Sequence, residues 1–332
     1  MRTILRLPIL LIIILFSHSA SAFDIGYNEA WYGFNYRTSL TKDFDLNLIH
    51  KIHRDIKSAG GDVIRIWLFP QRDGMILNQY APQTAGIDPK MLENIDLAIR
   101  SAKQYKLKIY ITFLDGNAMP TEKGEVRNYF YNLLNNKYGE TDAFLKNVAT
   151  PILKVMAKHK SAIYGLDLMN EIQAPMHNMY WGFTFDNYTG PRKWMKRMVQ
   201  FVKAEAPWLQ VTSSSGWGWG AKDLKNGLFS NLGLDFYDVH VYDDDGDIPF
   251  MYDICRMVRA ENMRVILGEF GQKTQVDDDQ LQLRATENFL KNAKSDCFSG
   301  ALAWRFDMNE KTWSFQRKDG SFRPAVEVMK RY

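Results

Sequence analysis

Short apolar runs alternate with longer amphipathic segments along almost the whole chain. Eight runs have the length and β-branched character of buried strands, at 24–28, 62–67, 107–113, 163–169, 209–213, 236–241, 264–268 and 300–304. Each is followed by a segment with helical spacing of apolar residues, at 43–58, 89–105, 142–158, 191–206, 224–232, 248–261, 277–294 and 324–331. Strand followed by helix, eight times in about 300 residues, predicts an α/β fold of the (β/α)8 TIM barrel type.

Local signals support the predicted helices. Pro89, Pro191 and Pro324 lie at or near a first helical turn, where a missing N–H costs nothing. The pair Gly60 and Gly61 follows the first helix, where a left-handed residue is favoured. A doubly wound open sheet is the rival fold, but no glycine fingerprint follows the first strand. No repeat or Pro/Gly/Ser-rich linker divides residues 23–332, so we predict one domain.

The first 22 residues differ from the rest of the chain. Arg2 and Arg6 precede an apolar run over 7–16, and small residues end the segment at Ala22. This order predicts a secretory signal peptide, residues 1–22, cleaved after Ala22. An uncleaved membrane anchor is the alternative, although the run is about half of the roughly 20 apolar residues that a spanning helix needs. We therefore expect a secreted or periplasmic protein with no membrane association after cleavage.

Composition excludes several classes of partner. The chain is 46% hydrophobic and 24% charged, which is typical of a globular protein. Its formal charge of +4 includes Arg2 and Arg6, so the mature chain is nearly neutral and we expect no nucleic-acid partner and a monomer. Cys255 and Cys297 are compatible with one disulfide or with two buried thiols, and the sequence leaves both open.

Two glutamates directly follow apolar strands. Glu171 follows the fourth predicted strand and Glu269 the seventh, and a barrel gathers the carboxyl ends of its strands into one mouth. Two carboxyl groups in one pocket can divide their work, since one can donate a proton while the other attacks carbon. This is the chemistry of a retaining glycosidase. The alternative is that one or both are surface carboxylates or helix N-caps.

The strings around these glutamates resemble a known family. "LMNEIQ" is similar to the Asn-Glu signature on the fourth strand of clan A glycoside hydrolases, and "VILGEFG" to their nucleophile strand. "VIRIWLF", "DVHVYDD" and "ALAWRF" resemble the strands on which family 5, the cellulase family, carries an Arg, a His-x-Tyr pair and a Trp. The first two of these strings also look slightly like those of mannanases. The resemblance extends from Asn28 to Trp304.

The resemblance implies a role for each matching residue. Glu171 would be the acid/base and Glu269 the nucleophile. The surrounding residues would bind substrate or hold the glutamates in place, namely Arg65, Asn170, His240, Tyr242 and Trp304. Each has a structural alternative, such as a paired buried arginine or an ordinary core aromatic. The chain departs from family 5 near the end of the third strand, where Asp115 and Asn117 stand in place of the usual histidine.

Aromatic residues in the loops suggest sugar-binding surfaces. Indole rings can stack on the apolar face of a sugar, and the candidates are Trp31, Trp67, Trp217 and Trp219. The acidic runs near Asp243 and Asp277 lack the ligand spacing of a calcium loop, so we predict no metal and no cofactor.

The sequence therefore predicts a retaining glycoside hydrolase acting internally on a β-linked polysaccharide, a β-1,4-glucan or a β-mannan. An exo-acting β-glycosidase and a non-catalytic sugar-binding barrel are the alternatives.

Overall fold

A computed structural model describes most of the chain after the predicted leader. The described residues are 23–32, 40–78, 80, 83–118, 124–177, 188–216, 219–242, 250–272, 278–306 and 313–332. The predicted signal peptide, residues 1–22, lies outside them, as does Trp217.

Eight parallel strands close into a barrel, which confirms the predicted fold. They are β1 Asp24–Asn28, β2 Val63–Phe69, β3 Lys108–Asp115, β4 Ile163–Asn170, β5 in two pieces Val211–Thr212 and Ser214–Ser215, β6 Phe236–Tyr242, β7 Arg264–Gly271 and β8 Phe298–Ala303. Each strand pairs with its neighbours in chain order, and β8 pairs with β1. The first piece of β5 pairs with β4 and the second piece pairs with β6. The two pieces on either side of Ser213 together complete the ring.

Helices surround the barrel. The main ones are Leu46–Ser58, Pro89–Gln104, Glu125–Leu134, Thr150–Ala157, Thr189–Glu205, Phe250–Ala260 and Asp279–Ser295. Shorter helices are Glu140–Phe144, Ala174–His177, Gly220–Lys225 and Ala325–Met329, and a π-helical turn, Leu145–Ala149, joins two of the segments. Asp45 and Asp88 cap two of the predicted helices by accepting backbone N–H groups with their side chains.

The structure differs from the sequence prediction in three elements of the loops and in the length of one strand. The predicted helix over 224–232 is wrong for most of its length, because the helix Gly220–Lys225 ends before Gly227, whose φ is +78°. The helix Glu125–Leu134 and a hairpin of Met75–Leu77 with Thr84–Ile87 were not predicted. Strand β7 also runs further than predicted, through Glu269.

Alternation along the strands decides which side chains reach the barrel interior. On β2, Ile64, Ile66 and Leu68 belong to the core between sheet and helices, whereas Val63 belongs to a separate interior cluster. That interior cluster consists of Val63, Tyr110, Tyr164, Phe236, Ile266 and Leu302. Because side chains alternate, Arg65 and Trp67 point inward above Val63.

Cys255 and Cys297 form a disulfide, with their Cα atoms 5.5 Å apart. The bond joins the helix Phe250–Ala260 to the turn before β8 and decides between the two alternatives that the sequence left open. None of the helices in the described ranges has the length and hydropathy needed to cross a bilayer.

Candidate active site

Arg65 is the buried cation at the centre of the barrel mouth. It is fully inaccessible to solvent, and Nη1 donates to Glu269 Oε1 at 2.6 Å and to Asn28 Oδ1 at 2.9 Å. Nη2 donates to Asp167 Oδ2 at 2.8 Å and to Asn170 Oδ1 at 2.9 Å. Burial alone would lower the pKa of Arg65, but the adjacent carboxylates outweigh burial and raise it. Arg65 therefore stays charged and connects strands β1, β2, β4 and β7.

Glu269 lies on β7 where the pairing with β6 shifts register between Leu267 and Glu269. Besides Arg65, its carboxylate accepts a hydrogen bond from the Tyr242 hydroxyl at 2.5 Å. His240 Nδ1 lies 3.4 Å from Glu269 Oε2. Burial raises the pKa of Glu269, while His240 and Arg65 act to lower it. The ionised form of this carboxyl group thus depends on the residues around it.

Glu171 follows β4 with a left-handed backbone, φ +47°. Its N–H donates to Ser214 Oγ at 3.0 Å, which fixes this conformation. Oε2 accepts from Asn117 Nδ2 at 2.8 Å, and Oε1 lies 3.0 Å from His240 Nδ1. A side chain at Gly216 would overlap Oε1, so the glycine is needed for this close approach.

The two glutamates meet at His240. One carboxylate oxygen of Glu171, one of Glu269 and a ring nitrogen of His240 all lie within 4.8 Å of one another. Carboxyl groups of retaining glycosidases are about 5–5.5 Å apart, and those of inverting enzymes are about 6.5–9.5 Å apart. The geometry therefore favours retention. Two carboxylates and an imidazole at this spacing are also groups that a metal ion could bind.

Asn117 and Asp115 have partners that the sequence did not reveal. Asn117 donates to Glu171, and Asp115 Oδ1 accepts from Asn170 Nδ2 at 2.9 Å. Asn170 thus joins Asp115 to Arg65 through the two ends of its amide. Burial raises the pKa of Asp115 to about 8. The residues that replace the expected histidine of the third strand therefore support Glu171 and Asn170.

Asp167 is a functional candidate that sequence reasoning missed. Its carboxylate pairs with Arg65 and accepts from the Thr112 hydroxyl, the Ser214 hydroxyl and the N–H groups of Met169 and Ser214. A carboxylate with this many donors is held in one orientation. The signal was a lone aspartate inside the apolar run "AIYGLDLM", a position at which a buried charge needs a partner.

Three of the predicted tryptophans cluster at one side of the mouth. The ring centroids of Trp31, Trp67 and Trp304 are 5.4 to 6.2 Å apart. Trp67 is only 5% exposed, whereas Trp31 and Trp304 are half-buried. A sugar ring could therefore reach Trp31 and Trp304 directly, whereas Trp67 lies behind them. Trp219 is separate, and the ammonium of Lys222 lies over its ring.

Comparison with known proteins identifies the family of this architecture. Residues 24–309 match the sequence model of the cellulase family, glycosyl hydrolase family 5. A mannan endo-1,4-beta-mannosidase from Mytilus edulis is 21% identical in an alignment of 335 positions, gaps included, that covers 88% of this chain and 85% of the relative.

Solved structures share the fold at low sequence identity. The β-mannanase of the blue mussel Mytilus edulis superposes with a TM-score of 0.70 at 18% identity, over 93% of this chain and 91% of that one. A β-1,4-mannanase from the sea hare Aplysia kurodai gives 0.72 at 16% identity, over 93% and 92%. An exo-β-1,4-mannosidase from an Opitutaceae bacterium gives 0.72 at 13% identity, over 94% and 61%. At these identities the likeness shows the fold alone.

Asp115 makes stability depend on pH. Its pKa in the folded protein, about 8, lies above the ordinary value near 4, so the folded state retains a proton that the unfolded chain releases. Stability is therefore expected to fall as pH rises from about 4 to about 8. Asp115→Asn removes this proton exchange and should reduce the decline between pH 5 and 7 by about 3 kcal/mol in urea unfolding. Asp253→Asn, at an exposed site, is the control, and equal slopes for wild type and Asp115→Asn would contradict the assignment.

Proposed function

Because the chain belongs to the cellulase family, glycosyl hydrolase family 5, we propose that it is a retaining endo-β-mannanase with Glu171 as acid/base and Glu269 as nucleophile. The approach of these carboxylates to within 4.8 Å carries the proposal. A pair at this separation leaves no room for a water molecule to attack from the opposite face of the sugar, which an inverting enzyme requires.

The two carboxyl groups have environments that suit different roles. Glu269 accepts from the guanidinium of Arg65 and from Tyr242, so negative charge is stabilised there. Glu171 accepts from the neutral amide of Asn117 and lies against His240, whose pKa burial lowers to about 4. We therefore assign the role of nucleophile to Glu269 and the role of proton donor to Glu171.

The first half-reaction forms a glycosyl–enzyme ester. Glu269 attacks the anomeric carbon while Glu171 gives its proton to the departing glycosidic oxygen. In the second half-reaction Glu171 takes a proton from water, the water oxygen bonds to the anomeric carbon, and Glu269 leaves as a carboxylate. Two inversions at the same carbon give net retention.

Asn170 and the tryptophan cluster position the sugar. Asn170 Nδ2 uses one hydrogen for Asp115, and its second hydrogen can donate to a sugar hydroxyl near the anomeric carbon. Arg65 and Asp115 fix the orientation of that amide from its two ends. The half-buried rings of Trp31 and Trp304 supply an apolar surface for the sugar ring.

The named relatives support β-mannan as the substrate. The mussel and sea hare proteins are described as β-mannanases, and the mussel protein is aligned over most of both chains. An exo-acting mannosidase is the second candidate, because the Opitutaceae protein with that description has the same fold. A β-glucan remains the alternative polysaccharide within the family.

Export is a further part of the proposal. The leader over 1–22 has the order of a signal peptide, and the disulfide between Cys255 and Cys297 suits an oxidising compartment. A polysaccharide substrate too large to enter a cell also requires an enzyme outside the cytoplasm.

Substitution of either glutamate should abolish hydrolysis of mannan. Glu171→Ala and Glu269→Ala should each lower kcat by about 10²–10⁴-fold or more, since each removes one half of the chemistry. On an aryl mannoside with an acidic phenol, Glu171→Ala should still release phenol in a burst, because that leaving group needs no proton. Glu287→Gln, an exposed glutamate paired with Arg331, is the control. Full activity in either alanine variant would exclude the mechanism.

The products should reveal both sugar and mode of action. Wild type is expected to release a mixture of oligosaccharides from linear β-1,4-mannan and to lower its viscosity early. Chromatography of products from mannan and from β-1,4-glucan, over time, makes the measurement. Mannose as the sole early product would instead support the exo-acting candidate, and faster cleavage of the glucan would refute the mannan assignment.

The mature protein should begin at Phe23. Expression of the whole chain in a secreting host, followed by mass determination of the exported protein, is expected to show loss of residues 1–22. A chain that keeps these residues and remains with the membranes would refute cleavage.

A further inference from the structure

Asp238 lies directly beneath His240 and has no role in the steps above. The two residues are two positions apart on β6, so both side chains face the barrel interior. Asp238 Oδ1 and His240 Nε2 are 3.7 Å apart, and both side chains are completely buried. Neither atom has a hydrogen-bond partner among the described residues. Two buried polar atoms facing each other in this way need a proton between them to be satisfied.

The surroundings hold the Asp238 carboxyl group in this orientation. Its other oxygen, Oδ2, accepts a hydrogen bond from the Tyr110 hydroxyl at 2.5 Å. On the neighbouring strand, a side chain at Gly268 would overlap the Asp238 carboxyl group, so glycine provides the space that it occupies. Because Tyr110 donates to Oδ2, a proton on the carboxyl group belongs on Oδ1, the oxygen that faces His240.

We infer that Asp238 is a positioning residue whose protonated carboxyl group donates to His240 Nε2 and so keeps the ring proton on Nδ1, facing Glu171 and Glu269. The expected effect of Asp238 on the reaction rate rests on the proposed function, whereas its effect on the His240 tautomer does not. The opposite tautomer would place the bare lone pair of Nδ1 3.4 Å from Glu269 Oε2, a repulsive contact with an ionised nucleophile.

The charges around Asp238 agree with a protonated carboxyl group. Burial raises its pKa to about 8, Asp167 and Glu269 also raise it, and Arg65 and the hydrogen bond from Tyr110 act in the opposite direction. The titratable groups that face it or interact with it come from β2, β3, β4, β6 and β7 and are Arg65, Tyr110, Tyr164, Asp167, His240 and Glu269. Burial lowers the pKa of His240 to about 4, so the ring is neutral at pH 6 and has a single proton to place.

Deprotonation of Asp238 should reverse the tautomer. The carboxyl group releases its proton to solvent, and the ring proton of His240 moves from Nδ1 to Nε2, where the new carboxylate accepts it. Nδ1 then becomes an acceptor for the proton of Glu171, which competes with donation to the glycosidic oxygen. Activity should therefore decline as pH rises through about 8, in a step that belongs to Asp238.

The His240 tautomer can be observed without catalysis. In protein labelled with ¹⁵N-histidine, the imidazole nitrogen shifts distinguish Nδ1–H from Nε2–H, and His240→Gln assigns the signal among the six histidines. We expect Nδ1–H in wild type at pH 6 and a change to Nε2–H at pH 9. Asp238→Asn should keep Nδ1–H at both values, because its amide N–H donates to Nε2 at every pH. Nε2–H in wild type at pH 6 would overturn the inference even if the enzyme proves to be an active mannanase.

Kinetics provide the second measurement. At pH 6, Asp238→Asn should keep kcat within about threefold of wild type, whereas Asp238→Leu, which cannot donate, should lose about tenfold or more. From pH 6 to 9, the asparagine variant should lose less of its activity than wild type. Glu140→Gln is the matched control: this buried carboxylate accepts hydrogen bonds from Thr84 and Tyr129, and among the described residues it has no recorded contact with His240, so the variant should leave the histidine signals unchanged. Equal pH profiles for wild type and Asp238→Asn, or equal losses in the two Asp238 variants, would overturn the inference.

Discussion

The guanidinium of Arg65 is the interaction on which the rest of the site depends. It contacts Asn28, Asp167, Asn170 and Glu269, which come from three other strands. A planar group with five donors can hold four acceptors in fixed directions, which an ammonium cannot. Because it is fully buried, each contact is made without competition from water. The positions of Glu269, the proposed nucleophile, and of the Asn170 amide, proposed to bind the sugar, are therefore set by one side chain.

The charge on Arg65 acts on several neighbouring carboxyl groups. Five buried carboxyl groups surround the mouth, at Asp115, Asp167, Asp238, Glu171 and Glu269. Asp167 and Glu269 each form an ion pair with Arg65. Asp115 and Asp238 accordingly have pKa values raised to about 8 by burial. These two carboxyl groups therefore favour the protonated form at neutral pH, beside the ion pairs that Arg65 forms with Asp167 and Glu269.

Glycines and an interrupted strand give these side chains their space. Gly216 and Gly268 stand where any Cβ would overlap Glu171 and Asp238 respectively. The break in β5 at Ser213 brings the Ser214 hydroxyl to the N–H of Glu171 and to Asp167. Glu171 can therefore adopt its left-handed backbone because its N–H has a partner there.

The amino-acid sequence predicts the barrel, its eight strands to within a few residues and the two glutamates at the strand ends, because burial on both faces produces uninterrupted apolar runs that stop where the mouth begins. The resemblance of short strings to a known family also identified Arg65, Asn170, His240, Tyr242 and Trp304. Which of these side chains are in contact depends on how the chain folds. The disulfide and the pairs Asp115–Asn170, Arg65–Asp167 and Tyr110–Asp238 join residues 42 to 128 positions apart, and no local pattern encodes such pairings. The distance between Glu171 and Glu269 is likewise not encoded by a local pattern, since it depends on how eight strands close into a ring.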